Sequence, residues 1–353
     1  MSFYRHLFLT IALLLSASAM AQSAGKLRIL TWEGYVPADV AEDFRKETGI
    51  EIEVTLSSNE DIIARLRASE GAGCDRAQPA QDRVTGPQRQ FHLYRPIDLS
   101  RVKTEQFLPE ILDSAKANTT VDGRQYGVPF LWGAEGMVVN TRHAAVTDYL
   151  DLCKPELHGK TALRLLRGTL IAFAFAMGKD PFALYADPPA YSRMLDEVEQ
   201  SLIACKRNLH FVFDSQGQIQ GSIRAGDVYA AMLWDAPAWE LGRENPYVRF
   251  INPKSGGLAW LMTSVLPAKG QNDSAAYAWI NYTMRPEIAA RITKSVGNFT
   301  AARGTLRLVD PRLKAQFFKS YPDGFSRLHW YPAIPAGIED METRTLARVR
   351  AAH

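Results

Sequence analysis

The chain has 353 residues, 46% of them hydrophobic, with 41 Lys and Arg against 38 Asp and Glu and three cysteines. This composition excludes a disordered chain and a disulfide-stapled miniprotein, and a length above the roughly 250–300 residues at which one core stops growing points to two domains. A formal charge of +3 with no run of five like charges excludes an electrostatic nucleic-acid binder.

The first residues read as a secretory leader. Arg5 precedes an apolar run from Leu7 to Leu15, and Ala19-Met20-Ala21 is an A-x-A cleavage site. The run covers about half of the roughly 20 residues that a membrane span needs. Cleavage after residue 21 leaves 332 residues with 40 basic and 38 acidic side chains, and no cysteine stands near the cleavage point to take a lipid. The mature protein is expected free in the periplasm. Its apolar stretch Thr169–Met177 is too short to span a bilayer and reads as a buried helix.

From Lys26 the pattern is βαβα: KLRILTW, then the amphipathic ADVAEDFRKETG, then the alternating IEIEVTLS, then NEDIIARLRASEG. Such alternation favours a parallel sheet with helices on its faces. Ser58 or Asn59 is expected to cap the second helix. QYGVPFLWGAEGMVVN (125–140) reads as two strand-like runs interrupted at Trp132-Gly133. A second α/β pattern runs from Asp148 to about Asn252, with helices PAYSRMLDEVEQSLIAC and GQIQGSIRAG and strand VYAAMLW. GGLAWLMTSVLP (256–267) is strand-like again, and SAAYAWINYTMRPEIAARITKS is helical. The chain thus leaves one lobe near Val138 and returns near Leu261, which predicts two lobes with a cleft between them.

An oxidising compartment makes cysteines informative. Cys153 and Cys205 lie 52 residues apart, each beside a segment that packs as helix, and are expected to form a disulfide. Cys74 is left unpaired, with no His or second Cys beside it to suggest a zinc site or catalytic thiol.

Five of the seven tryptophans, Trp32, Trp132, Trp234, Trp260 and Trp330, stand at or just past a predicted strand or beside Pro or Gly. Ligands of open α/β sheets bind in the crevice outside strand ends, and an indole there offers an apolar wall and a π-face for a cation.

LTWEGYVPADVAEDFRKETGIEIEV, YGVPFLWGAEGMVVN, AAMLWDAPAW and SGGLAWLMTSVLPAKGQNDSAAYAWINYTMRPEIAARITKSVGNFTA together resemble the spermidine/putrescine-type periplasmic binding proteins of ABC importers, in order and over nearly the whole mature chain. The resemblance implies an α/β two-lobed periplasmic-binding-protein fold (type II), with crossing hinge strands and the ligand cleft between the lobes. The expected division is a leader (1–21), lobe 1 (22–137 and 262–305), lobe 2 (138–261), and C-terminal helices (306–353) near the cleft and lobe 2. It also implies capture of a polyamine or related small amine and delivery to a permease driven by an ATPase, by a monomer that touches the membrane only through that permease. Trp32, Tyr35, Trp234 and Trp260 match the family's aromatic box, and Tyr331 falls near a polar contact.

The sequence departs from the family at its acidic clamp. Met262 stands where the family has an aspartate two residues after the tryptophan matched by Trp260. ALRLLRGTL, with Arg164 and Arg167, stands where it has acidic residues at a helix start. Two ligand classes follow. Glu33, Asp82, Glu135 and Asp235, all expected in loops facing the cleft, would hold an amine. Arg164 and Arg167 would instead hold a zwitterionic or acidic amino-acid-like cargo, since a guanidinium fork suits a carboxylate. Catalysis is the third reading and has no motif behind it: none of the seven histidines pairs at metal-ligand spacing, and G-x-S-x-G, G-x-x-x-x-G-K and H-E-x-x-H are missing. No cofactor and no metal is called for.

Overall fold

The computed structural model describes residues 25–352; the expected leader, residues 1–21, lies outside them. One mixed sheet runs through the molecule. Its first part is parallel: strand Lys26–Thr31 is flanked by Glu51–Leu56 and by the short Arg76–Ala77. Helix Ala38–Thr48 covers one face by burying Val40 and Phe44, and ends where Gly49 takes the left-handed conformation (φ 71°). Helix Asn59–Ala68 is capped by Ser58, whose hydroxyl accepts from the Asp61 amide at 3.3 Å. Asn59 is not the cap; its Oδ1 accepts from the Ala80 amide at 2.9 Å. Strand Glu51–Leu56 forms the exposed edge, which explains its polar alternation.

Two long strands carry the sheet across the molecule. Gly127–Asn140 is one unbroken strand, not two runs, and pairs antiparallel with Gly257–Pro267. Gly133 does not interrupt it because the Trp260 indole lies over Gly133 from the facing strand, where a Cβ would collide with the ring. Beyond the crossing, Ala230–Trp234 pairs antiparallel with Gly127–Asn140, and Thr161–Leu163 and Phe211–Val212 extend the sheet in parallel. Side-chain alternation divides this second region between two cores: Ala231 and Leu233 face one, Ala230 and Met232 the other. Both faces are therefore covered, by helices that include Arg167–Ala176, Pro188–Lys206 and Asp235–Glu244.

The segment read as one helix after the second crossing is two, Asp273–Thr283 and Pro286–Val296. Pro286 causes the break, because proline opens a helix readily and disfavours helical backbone in the residue before it. The C-terminal region returns to the centre: Leu328–Trp330 pairs with Gly257–Ala259, and helix Ile338–Ala351 packs on helix Pro188–Lys206. Cys153 and Cys205 form a disulfide with Cα atoms 4.7 Å apart. Cys74 is free and buried, and burial pushes its thiol up to about 12, which makes it a poor nucleophile. No described helix is long and apolar enough to cross a membrane.

Candidate functional site

A cavity of about 530 Å³ opens where the parallel strands of the first region meet the crossing pair. Its walls come from strand ends and from the interior of the crossing strands. Strand Lys26–Thr31 runs out into Trp32-Glu33-Gly34-Tyr35, and Gly34 (φ 79°) makes the turn that sends both Trp32 and Tyr35 to the cleft. Strand Ala230–Trp234 ends on Trp234, in the opposite wall. Trp260 and Glu135 rise from the two crossing strands, and Tyr331 follows the short strand Leu328–Trp330. The indole N–H groups of Trp32 and Trp260 are buried without an acceptor, so these residues offer ring carbon to the cleft.

Seven of the nine sequence-derived contact residues line this cavity: Trp32, Tyr35, Asp82, Glu135, Trp234, Trp260 and Tyr331. Two do not. Glu33 points from the turn into solvent. Asp235, expected in a cleft-facing loop, opens helix Asp235–Glu244 and turns inward, where it is 1% exposed. There it accepts from the Ala134 and Ala236 amides, Asn298 Nδ2 and the Tyr321 hydroxyl, at 2.7–3.1 Å. Burial pushes its carboxyl up to about 6 against those donors. It ties the crossing strand to the C-terminal region and has no lone pair left for a ligand.

Glu135 is the cleft carboxylate on the crossing strand. Its Oε2 accepts from the Tyr331 hydroxyl at 3.1 Å, and its side chain lies against Gly168 at the start of helix Arg167–Ala176, where a Cβ would strike the carboxylate. Burial pushes it up to about 7, opposed by the Tyr331 hydrogen bond and by Arg164 and Arg167. Asp82 is also raised by burial, and Arg167 and Arg83 pull it back.

Of the two arginines that favoured an acidic cargo, Arg167 lines the cavity but is already paired with acidic side chains. Arg167 Nε lies 3.0 Å from Glu342 and its Nη1 3.4 Å from Asp82, while Nη2 donates to the Tyr185 hydroxyl. Burial alone would lower its pKa, but these acidic neighbours hold it above the ordinary value. Arg164 stands over the Trp234 ring at 5.0 Å and is not among the cavity-lining residues. Sequence reasoning read Asn59 as a helix cap and missed Glu342, 175 residues from Arg167 on the C-terminal helix, and the lining residues Gly168, Gln216 and Asn298. Only Asn298, directly after the helix-ending Gly297, had a local signal. No cluster of three or more metal-ligating side chains occurs among the described residues.

Two α/β lobes joined by antiparallel crossing strands, with an aromatic cleft at the junction, define a two-lobed binding protein. The chain belongs to the bacterial extracellular solute-binding proteins: the model of that family matches residues 39–317. It is 29% identical over 328 residues to the spermidine/putrescine-binding periplasmic protein of Salmonella typhimurium, covering 90% of each chain. It is 30% identical to spermidine/putrescine-binding periplasmic protein 1 of Haemophilus influenzae, over 80% of this chain and 77% of that one. Among solved structures, the spermidine/putrescine ABC transporter substrate-binding protein PotD of Streptococcus pneumoniae superposes with a TM-score of 0.79 at 22% identity, over 93% of this chain and 99% of that one.

Proposed function

We propose that this chain is the periplasmic substrate-binding component of an ABC importer. After its leader (1–21) is removed, it captures a small amine of the polyamine class, putrescine- or spermidine-like or a close relative. It then presents the cargo to a permease and its ATPase and releases it chemically unchanged. The observation that carries the reading is Glu135: a carboxylate without an ion pair among the described residues, on the floor of a cleft walled by Trp32, Tyr35, Trp234 and Trp260. Aromatic faces suit methylenes and ammonium groups alike, at roughly 0.5–2 kcal/mol for each cation–π contact, and each desolvated methylene adds about 0.8 kcal/mol. With one charge-assisted hydrogen bond, these terms reach the roughly 8 kcal/mol of micromolar affinity. The relatives named above are polyamine binders by name, which favours the same class. The acidic-cargo reading loses its support because Arg167 is paired to Glu342 and Asp82.

We assign lobe 1 to 22–137 and 262–305 and lobe 2 to 138–261, with 306–353 seated beside the cleft and lobe 2. A ligand held between Trp32 and Tyr35 on one side and Trp234 on the other binds the closed arrangement better than the open one, and so shifts the population towards it. Isothermal titration of the ligand-stripped mature protein with amines, amino acids and dicarboxylates tests the reading. One-to-one heat and tryptophan quenching with an amine are expected. Binding confined to acidic compounds overturns it.

A further inference from the structure

Arg83 and Arg167 line the cleft, and four carboxylates share them unevenly. Arg167 gives its Nε to both Glu342 oxygens, at 3.0 and 3.3 Å, and reaches Asp82 only with Nη1 at 3.4 Å. Arg83 donates through Nη1 to Glu339, while Glu60 and Asp82 lie 3.9 and 4.0 Å from its other nitrogens. Each arginine therefore makes its close ion pair with helix Ile338–Ala351 and its longer contacts with carboxylates that line the cleft.

Glu339 and Glu342 share one face of that helix and are not among the cleft-lining residues. Glu342 is 2% exposed and also accepts from the Tyr191 hydroxyl at 2.6 Å, which fixes its carboxylate against Arg167. A guanidinium hydrogen-bonded to one carboxylate neutralises a second, more distant one only in part, because the attraction falls with separation. Without the two acids of the helix, Arg83 and Arg167 would balance Glu60 and Asp82 and turn their free N–H groups to a carboxylate in the cleft. With them, negative charge is in excess around Glu60 and Asp82, in addition to Glu135.

We infer that Glu342, assisted by Glu339, selects the sign of the cargo from outside the cleft: the two acids draw Arg167 and Arg83 to the C-terminal helix and leave Asp82 and Glu60 available to an ammonium. Both are positioning residues, which act on the ligand through the arginines. The inference rests on the small-amine reading above and deepens it, by naming what turns a cleft lined by two arginines into an amine site.

The test uses putrescine and 5-aminopentanoate, which share one ammonium and a chain of methylenes and differ in the sign of the other end. Both are titrated calorimetrically into the ligand-stripped mature chain, and the ratio of their affinities is the readout. The wild type is expected to favour putrescine. Glu342→Gln, checked for native circular dichroism, is expected to move the ratio by roughly tenfold or more towards 5-aminopentanoate, and Glu342→Asp to keep the wild-type ratio. A purely structural role for Glu342 lowers both affinities alike, so an unchanged ratio in the folded Glu342→Gln protein overturns the inference and leaves the small-amine reading standing. If that variant does not fold, Glu339→Gln decides by the same ratio: its side chain is half-exposed, a shift towards 5-aminopentanoate is expected, and an unchanged ratio overturns the inference. A wild-type protein that binds neither compound, or favours 5-aminopentanoate, overturns the small-amine reading and the inference with it.

Discussion

Trp132 and Trp260 sit on facing strands one register step apart, Trp132 opposite Leu261 and Trp260 opposite Gly133. Because neighbouring residues of a strand point to opposite faces, the two indoles leave the crossing ribbon in opposite directions. Trp132 enters a closed aromatic cluster, with Phe325 at 4.9 Å, Tyr321 at 5.9 Å and Trp330 at 6.0 Å, and is 2% exposed. Trp260 lies in the cleft with Trp32, Tyr35 and Trp234. Aromatic density is high in both places. A larger open volume, about 530 Å³ against about 150 Å³ beside Trp132, and the carboxylate Glu135 distinguish the cleft; the comparable acid beside the Trp132 cluster, Asp235, is saturated by four donors.

Trp132→Ala gives the largest effect expected from this contrast. Emptying a closed aromatic core lowers unfolding free energy by about 3–5 kcal/mol, read as a shift of the denaturation midpoint, while the fraction that stays folded keeps its ligand affinity. Glu135→Gln does the reverse. It removes the charge of a cleft carboxylate that has no ion pair among the described residues and lowers amine affinity by about 1.5–3 kcal/mol, or roughly 10- to 150-fold, while stability is unchanged or slightly raised because a buried ionisable group is gone. Titration calorimetry and thermal melts of the two variants separate the regions; a Glu135→Gln protein with native affinity removes the charge from the site. Trp234→Ala is milder. It removes one wall and the surface on which Arg164 stacks, and about 1–2 kcal/mol of affinity is expected to go with it. Unchanged affinity for a proven ligand would place the aromatic wall elsewhere.

How much of this was legible follows from which interactions are local. The βαβα opening is written in short-range periodicity, and the strands at Gly127–Asn140 and Gly257–Pro267 lie where that pattern puts them. The tryptophans at strand ends were visible, but not which face each would take. Trp132 and Trp260 differ by the parity of their strand positions, and parity becomes a direction only once the cross-strand register is known. Asp235 misled for a similar reason: an acid after a strand looks solvent-facing until Tyr321 and Asn298 arrive from 86 and 63 residues away. Arg167 looked like a free anion receptor because Glu342, its neutralising partner, lies on the last helix. Register and long-range charge pairing are tertiary facts, and the finer structure of the site depends on both.

The smallest effect expected is also the one that reports most directly on the charge. Burial holds the Glu135 carboxyl near 7, so at neutral pH the empty cleft is about half protonated there. An ammonium ligand stabilises only the ionised form. Affinity should therefore be flat above about pH 8, fall as pH drops through 7, and approach a tenfold loss per unit below 6, giving roughly a tenfold difference between pH 8 and pH 6. The amine stays protonated across this window, so the change belongs to the protein. Binding near neutral pH should release a fraction of a proton per ligand, which makes the calorimetric heat depend on the ionisation enthalpy of the buffer, and that dependence should vanish in Glu135→Gln. The saturated carboxyl of Asp235 touches no ligand, so Asp235→Asn should leave the proton release unchanged. If buffer dependence persists without Glu135, the cleft's titrating charge is another group and the division between the two aromatic regions has been drawn in the wrong place.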